Sequence, residues 1–255
     1  MRSIHLIFLT SFLILSCSDS STNPNETEWS SSASASSSSV VAPSSSSVSA
    51  SSSSAVVPSS SSENSIYNES DNTLTDLRDN KVYRTVKIGD QIWMAENLNY
   101  YDENNSNLNL SWCHENSQDS CSKYGRIYSW SAAMNIDSSY NKKSIVGLNF
   151  SDQGICPDGW RVPSKSDFST LIANTDGHIW IGNDSLYGFN AINAPTYEST
   201  MNCTTFLTIP QACFWASTEV SYYTYSADLL RLFTDDYKTN GRPKSNGQAI
   251  RCIKD

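Results

Sequence analysis

The chain has 255 residues, with 17 Lys+Arg against 26 Asp+Glu and a net charge of −9. From Asn64 onward, 16 basic and 22 acidic residues leave a net charge of −6. That balance argues against nucleic acid, which is bound through a basic face, and against anionic lipid as a partner of the same surface.

Residues 1–16 read as a signal peptide. Arg2 is followed by the apolar run Ile4–Leu15, "IHLIFLTSFLIL". This run falls short of the roughly 20 apolar residues that span a bilayer. One basic residue, a short apolar core and a small residue at the cut describe a secretory signal. The stretch Ile14-Leu15-Ser16-Cys17 resembles a bacterial lipobox, in which Cys17 would be lipidated and become the new N-terminus. A plain signal peptide with an incidental cysteine is the alternative. Lipid on Cys17 would anchor the chain to a membrane without crossing it, at about 0.8 kcal/mol per buried CH₂. Ser18 after the cysteine points, by resemblance to sorting rules, to the outer membrane of a bacterial cell envelope.

Residues 17–63 form a tether. Serine fills 24 of the 45 positions from Ser18 to Ser62, with Ser tetrads beginning at Ser36, Ser44, Ser51 and Ser59. So little apolar surface cannot offset chain entropy, and disorder is expected. Residues 64–82 read as a polar lead-in, and residues 83–255 as one folded domain. Six of the seven tryptophans and all thirteen tyrosines lie beyond Ser62.

Six cysteines follow Cys17, an even number that suits three disulfides in an exported domain. Six cysteines allow 15 pairings. Proximity suggests Cys113–Cys121 and Cys203–Cys213, which leaves Cys156–Cys252. Metal binding is the alternative, but no CxxC is present and only His114 and His178 remain in the mature chain. No metal or cofactor is expected.

"VYRTVKIGDQIWMAE", Val82 to Glu96, predicts a hairpin turning at Gly89-Asp90, with Val82, Arg84, Val86 and Ile88 on one face. "GRIYSWSAAMN", Gly125 to Asn135, predicts a short helix carrying Trp130, Ala133 and Met134. Further on, Ser164 is placed to cap a helix, with Asp167 three residues later as an acidic capping box. Phe168, Leu171 and Ile172 line one face of it. "CFWAST", "YSADLLRLF" and "AIRCIKD" read as strands, with "TDDYKTNGRPKSNG" as a polar turn. The fold class is therefore α+β, with two short helices and short, mostly antiparallel strands stapled by disulfides.

The segments "KIGDQIWMAENLNY", "CSKYGRIYSWSAAMN", "ICPDGWRVPSKSDFSTLI", "GFNAI", "FWASTE" and "AIRCIKD" together resemble the Fibrobacter succinogenes major paralogous (FISUMP) domain. "GWRVPSKSDF" and "FWASTE" are more distantly similar to C-type-lectin-like folds, including that of the formylglycine-generating, sulfatase-modifying proteins. The resemblance implies export, a Ser-rich tether, and pairing of N- and C-terminal strands with a helix packed beneath. In that fold a Cys156–Cys252 bond would pin the last strand to the core. Trp160 would plug the core, and Arg161 would hydrogen-bond backbone. No defined activity comes with the resemblance.

The Glu-Pro-Asn, Gln-Pro-Asp and Trp-Asn-Asp motifs of calcium-dependent sugar recognition are absent. "IGND", Ile181 to Asp184, and Asp235-Asp236 are the nearest acidic pieces. Glu96, Glu115 and Glu219 are scattered acids of the kind a glycosidase pair needs, without a motif to join them. Tyr222, Tyr223 and Tyr225 concentrate in "WASTEVSYYTYS". Exposed rings there would stack on sugar or anchor a protein partner. Ordinary strand packing, with Tyr223 and Tyr225 sharing a buried face, is the alternative. Three readings stay open: a non-catalytic binding module for glycan or another extracellular ligand, a structural protein contacting other envelope proteins, and an enzyme of unknown class.

Overall fold

A computed structural model of the chain describes residues 64–179, 187–200, 203–207 and 211–255, with no side-chain description for 199–207. The signal peptide, Cys17, the Ser-rich tether and Ile181–Asp184 lie outside the described residues. The strands are β1 (Ser65–Asn68), β2 (Thr73–Asp76), β3 (Lys81–Ile88), β4 (Gln91–Met94), β5 (Ser111–Trp112), β6 (Ile127–Tyr128), β7 (Trp160–Arg161), β8 (Thr196–Thr200), β9 (Cys203–Leu207), β10 (Ala212–Glu219), β11 (Ser226–Leu232), β12 (Tyr237–Pro243) and β13 (Ile253–Lys254). The α-helices among the described residues are α1 (Gln118–Tyr124), α2 (Trp130–Ala133) and α3 (Lys165–Asn174). The main sheet runs β1-β2-β3-β4-β13-β7, and β10-β11-β12 form a second sheet. Two short pairs, β5-β6 and β8-β9, complete an antiparallel α+β fold.

The expected hairpin forms, with Gly89 at φ +61° in its two-residue turn. A side chain at Gly89 would also meet the amide of Asn174 at 2.2 Å. Val82, Arg84, Val86 and Ile88 share one face as expected, yet neither face is simply inside or outside. Val82 is 59% exposed, whereas Tyr83 is buried. The reason is that the hairpin separates two cores. Tyr83 and Met94 face the first, with Trp130, Trp160 and Trp215. Val86, Ile88 and Trp93 face the second, with Phe168, Phe189 and Phe214. The register Thr85↔Met94 and Val86↔Trp93 puts these sets on opposite sides of one ribbon. The β10-β11 pair repeats the arrangement: Trp215↔Leu229 faces the first core and Phe214↔Leu230 the second. Burial on both faces explains why "ACFWA" reads as an unbroken apolar run, and why Leu229 and Leu230 are adjacent in "ADLLRL".

Residues 64–82 are not a lead-in, because β1, β2 and the start of β3 belong to the main sheet. Leu74 is fully buried and so is Asp76, whose carboxylate takes Arg78 at 2.7 and 2.8 Å. A buried ion pair in place of an apolar residue hides the strand from periodicity. The polar turn expected after β11 likewise contains β12, paired along its whole length with β11. Its side chains are mostly solvated on both faces, so only its backbone marks it as a strand.

Among the described residues, three α-helices form where two were expected. α2 is capped by Ser129, whose side chain accepts from the Ala132 amide. α3 carries the full capping box between Ser164 and Asp167, and it buries Phe168 and Leu171. The extra helix, α1, buries only Cys121, so it has no apolar stripe to read. Its disulfide to Cys113 holds it in place.

Cys156 and Cys252 are bonded across 96 residues and both are fully buried. The bond sits beside β13, where Ile253 pairs with Trp93 of β4 and with Arg161 of β7. The expected Cys203–Cys213 bond is not formed. Cys213 is a free, buried thiol. It lies on β10, opposite Arg231 of β11, while Cys203 begins β9 and pairs within the β8-β9 hairpin. Closeness in sequence does not bring the two residues onto one ladder. Burial pushes the Cys213 thiol up to about 11, against the pull of Arg231. Trp160 fills the first core and meets Tyr67 edge-on at 5.7 Å. Arg161 binds a carboxylate rather than backbone: its guanidinium takes both oxygens of Asp167, at 2.6 and 3.0 Å.

Candidate functional site

The tyrosine turn joins β10 to β11. The Tyr223 amide donates to the Val220 carbonyl at 3.1 Å, and the Ser226 amide to the Tyr223 carbonyl at 2.8 Å. These tight bonds turn the chain so that side chains point outward. Tyr222 is 89% exposed, Tyr223 56% and Tyr225 52%. The shared buried face weighed for Tyr223 and Tyr225 is therefore not present. Their rings stand 5.9 Å apart, tilted at 51°.

Beneath the turn lies a polar hub that sequence reasoning missed. Lys244, in the chain after β12, has no solvent-exposed surface. Its ammonium donates to the carbonyls of Thr224 at 2.8 Å, Lys143 at 3.1 Å and Tyr140 at 3.2 Å. It also pairs with the Glu219 carboxylate and sits 4.4 Å above the Trp130 ring. The Lys244 amide donates to the Tyr225 carbonyl at 2.8 Å. Glu219 in turn accepts from the Ser144 hydroxyl at 2.8 Å and the Ile145 amide at 3.0 Å. Burial pulls the Lys244 pKa down, and Glu219 pushes it back up. Three segments, 140–145, 219–225 and 243–244, thus meet at one buried charge pair. In "GRPKSNG" this lysine looks like any turn lysine, and no local pattern marks it.

The scattered acids have separate partners, with the Glu115 carboxylate 3.6 Å from His114 Nε2. Glu96 pairs with Arg84 at 3.1 Å, and Glu219 with Lys244. Glu115 is mostly exposed, at a backbone φ of 54°. Asp235 and Asp236 lie in an exposed turn, where the Asp236 carboxylate accepts from the Tyr237 amide at 2.8 Å. Among the described residues, no three His, Cys, Asp or Glu side chains cluster as a metal site would require.

Residues 86–179 match the family model of the Fibrobacter succinogenes major domain. This part of the chain is similar to that domain. The matched segment of this domain runs from the middle of β3 through α3, taking in Cys156, Trp160 and the capping box. The strands that close both cores, β10 to β13, lie beyond it, as do the tyrosine turn and Lys244. No curated protein and no solved structure matches the chain.

Proposed function

We propose that the chain is a cell-envelope lipoprotein that displays a non-catalytic binding domain for an extracellular ligand, namely carbohydrate. The observation that carries this reading is the set of three exposed rings on a turn braced from below. Exposed tyrosines offer large contact area at low entropy cost. The hub under the turn holds its backbone before any ligand arrives, which reduces the ordering cost of binding. In this reading Cys17 is lipidated and the protein faces outward on the outer membrane. The Ser-rich segment spaces the domain from the bilayer. No helix among the described residues is long and apolar enough to cross a membrane.

Calorimetry of the chain against soluble polysaccharides, with and without EDTA, tests the ligand. We expect modest affinity that survives EDTA and falls about fivefold in each of Tyr222→Ala and Tyr223→Ala, as loss of about 1 kcal/mol per ring implies. Unchanged binding in both variants removes the turn as a site. No binding to any polysaccharide moves the weight to a structural protein contacting other envelope proteins. For the anchor, Cys17→Ser should shift the protein from the membrane to the soluble exported fraction; a variant that stays membrane-bound would sink the lipoprotein reading.

A further inference from the structure

Away from the tyrosine turn, three concavities adjoin on one stretch of surface. The central one, about 500 Å³, is lined by Asn64, Asn105, Asn135 and Asn149, with Tyr100 and Phe150. It shares Arg78 and Tyr100 with a second of about 480 Å³, which takes in Tyr101 and Asn104. It shares Gln153 and Asp158 with a third of about 560 Å³, which takes in Tyr67 and Lys254. Each neighbour shares two residues with the centre, so the three hollows adjoin in a row, and together they are called the groove. Each part alone has the volume of a small-molecule site.

The lining has a definite chemistry. Carboxamides both donate and accept, which matches sugar hydroxyls that do the same; Asn105 donates to Asn135 at 2.9 Å, so that matching falls first to Asn64 and Asn149. Aromatic side chains stand among them, and three are held by their neighbours: Arg78 lies 3.9 Å from the Tyr100 ring centroid. Arg126 lies 4.1 Å from the Tyr101 ring centroid, and Tyr67 packs edge-on against Trp160. Tyr101 remains 43% exposed.

Charge along the groove nearly cancels. Arg78 and Lys254 stand against Asp102, Glu103 and Asp158. Arg78 is already closed onto Asp76, and Asp158 accepts from the Asn64 amide at 3.0 Å and the Gln153 carboxamide at 2.9 Å. Nothing here selects for a charged ligand. A succession of open, polar hollows favours a chain over a compact molecule, since a compact ligand would fill one hollow and leave its neighbours wet.

We propose that this groove binds a linear, uncharged polysaccharide, with the carboxamides on its hydroxyls and tyrosine rings on its sugar faces. The proposal rests on the carbohydrate reading above and places a longer contact beside the one at Tyr222–Tyr225. The groove draws on residues from Asn64 to Lys254, so it exists only when the first hairpin and the last strand are both in the sheet.

The test is affinity electrophoresis of the full chain, carrying Cys17→Ser to remove lipid, through gels containing a soluble linear β-glucan, xylan or mannan. Polygalacturonate serves as the charged comparison. Tyr101→Ala and Asn149→Ala change exposed side chains, and thermal melts confirm that both variants stay folded. We expect at least one neutral polymer to retard the parent chain. Each groove variant should weaken retention about fivefold and the double variant about 25-fold, at about 1 kcal/mol per contact. Retention lost in Tyr222→Ala but unchanged in Tyr101→Ala and Asn149→Ala overturns the groove and leaves the carbohydrate reading standing. Tighter retention by polygalacturonate overturns the uncharged ligand. No retention by any polymer overturns the carbohydrate reading itself.

Discussion

Lys244 and Glu219 form a buried ion pair at the base of the tyrosine turn, where the Lys244 ammonium also takes the Thr224 carbonyl at 2.8 Å. The pair is not there for its Coulomb energy alone, since burying two charges costs several kcal/mol per ion before attraction offsets it. What it adds is position. One ammonium gathers three backbone carbonyls from segments that share no strand, and one carboxylate adds a backbone amide and a hydroxyl.

Removing one partner should therefore be costly. Lys244→Met leaves Glu219 and three carbonyls without their donor, and we expect a loss of about 3–5 kcal/mol in urea unfolding. Lys244→Met combined with Glu219→Gln should recover part of that loss. A single variant within 1 kcal/mol of wild type would show that the hub is not holding the turn.

The Cys156–Cys252 bond closes a loop of 96 residues that carries most of the second core and part of the first. In the chain-entropy model a loop of that size is worth about 4–5 kcal/mol. The double variant Cys156→Ser, Cys252→Ser should lose about that much stability. Peptide mapping without reductant should yield a Cys156–Cys252 fragment; a link from either residue to Cys203 or Cys213 would contradict the pairing.

Acid should weaken the cap of α3. Burial pushes the Asp167 pKa up, but hydrogen bonds from Arg161 and Ser164 outweigh it, and the net shift is downward. A carboxylate with a lowered folded pKa contributes stability that is present above its unfolded value, near 4, and lost as pH falls through the folded one. Asp167→Asn should cost about 1–2 kcal/mol at neutral pH, combining a weakened cap with a lost ion pair. That difference from wild type should shrink as pH falls from 5 to 2. A difference that stays constant with pH would rule out the ionised carboxylate as its source.

Alkali should act on Cys213. Its folded pKa, about 11, lies above the usual thiol value near 8.5. The native state therefore keeps the proton longer, and this contribution is complete below pH 8.5 and lost as pH rises towards 11. Cys213→Ala should flatten the part of the alkaline stability loss that this thiol causes. In a Cys203→Ser background the native protein should also resist thiol-specific reagents until it unfolds. Fast labelling of the folded protein would show that the site is open.

Some of this architecture was legible in the sequence because local chemistry was enough to determine it. The Gly89-Asp90 turn needs a positive φ that glycine supplies. The Ser164–Asp167 cap lies within one helical turn. Signals of this kind depend on residues a few positions apart. Elimination reaches the Cys156–Cys252 pair only by way of Cys203–Cys213, a bond that does not form, so the pairing itself rests on the last strand's place beside Cys156. What the tertiary structure decided depends on partners far away in the chain. Val82 faces solvent and Tyr83 the core because the β3-β4 ribbon is packed on both sides, so alternation alone could not say which side is inside. β2 holds Asp76 where a strand pattern expects an apolar residue, and only Arg78 and the packing around it make that burial tolerable. β12 is a strand because β11 offers it a backbone ladder, whatever its polar side chains suggest. Cys213 stayed free because β9 and β10 belong to different ladders, and Lys244 became the brace of the tyrosine turn because three loops converge on it. Short-range pattern encodes turns, caps and helix faces; the choice of face, the pairing of distant strands and the burial of a charge are settled only when the whole chain has packed.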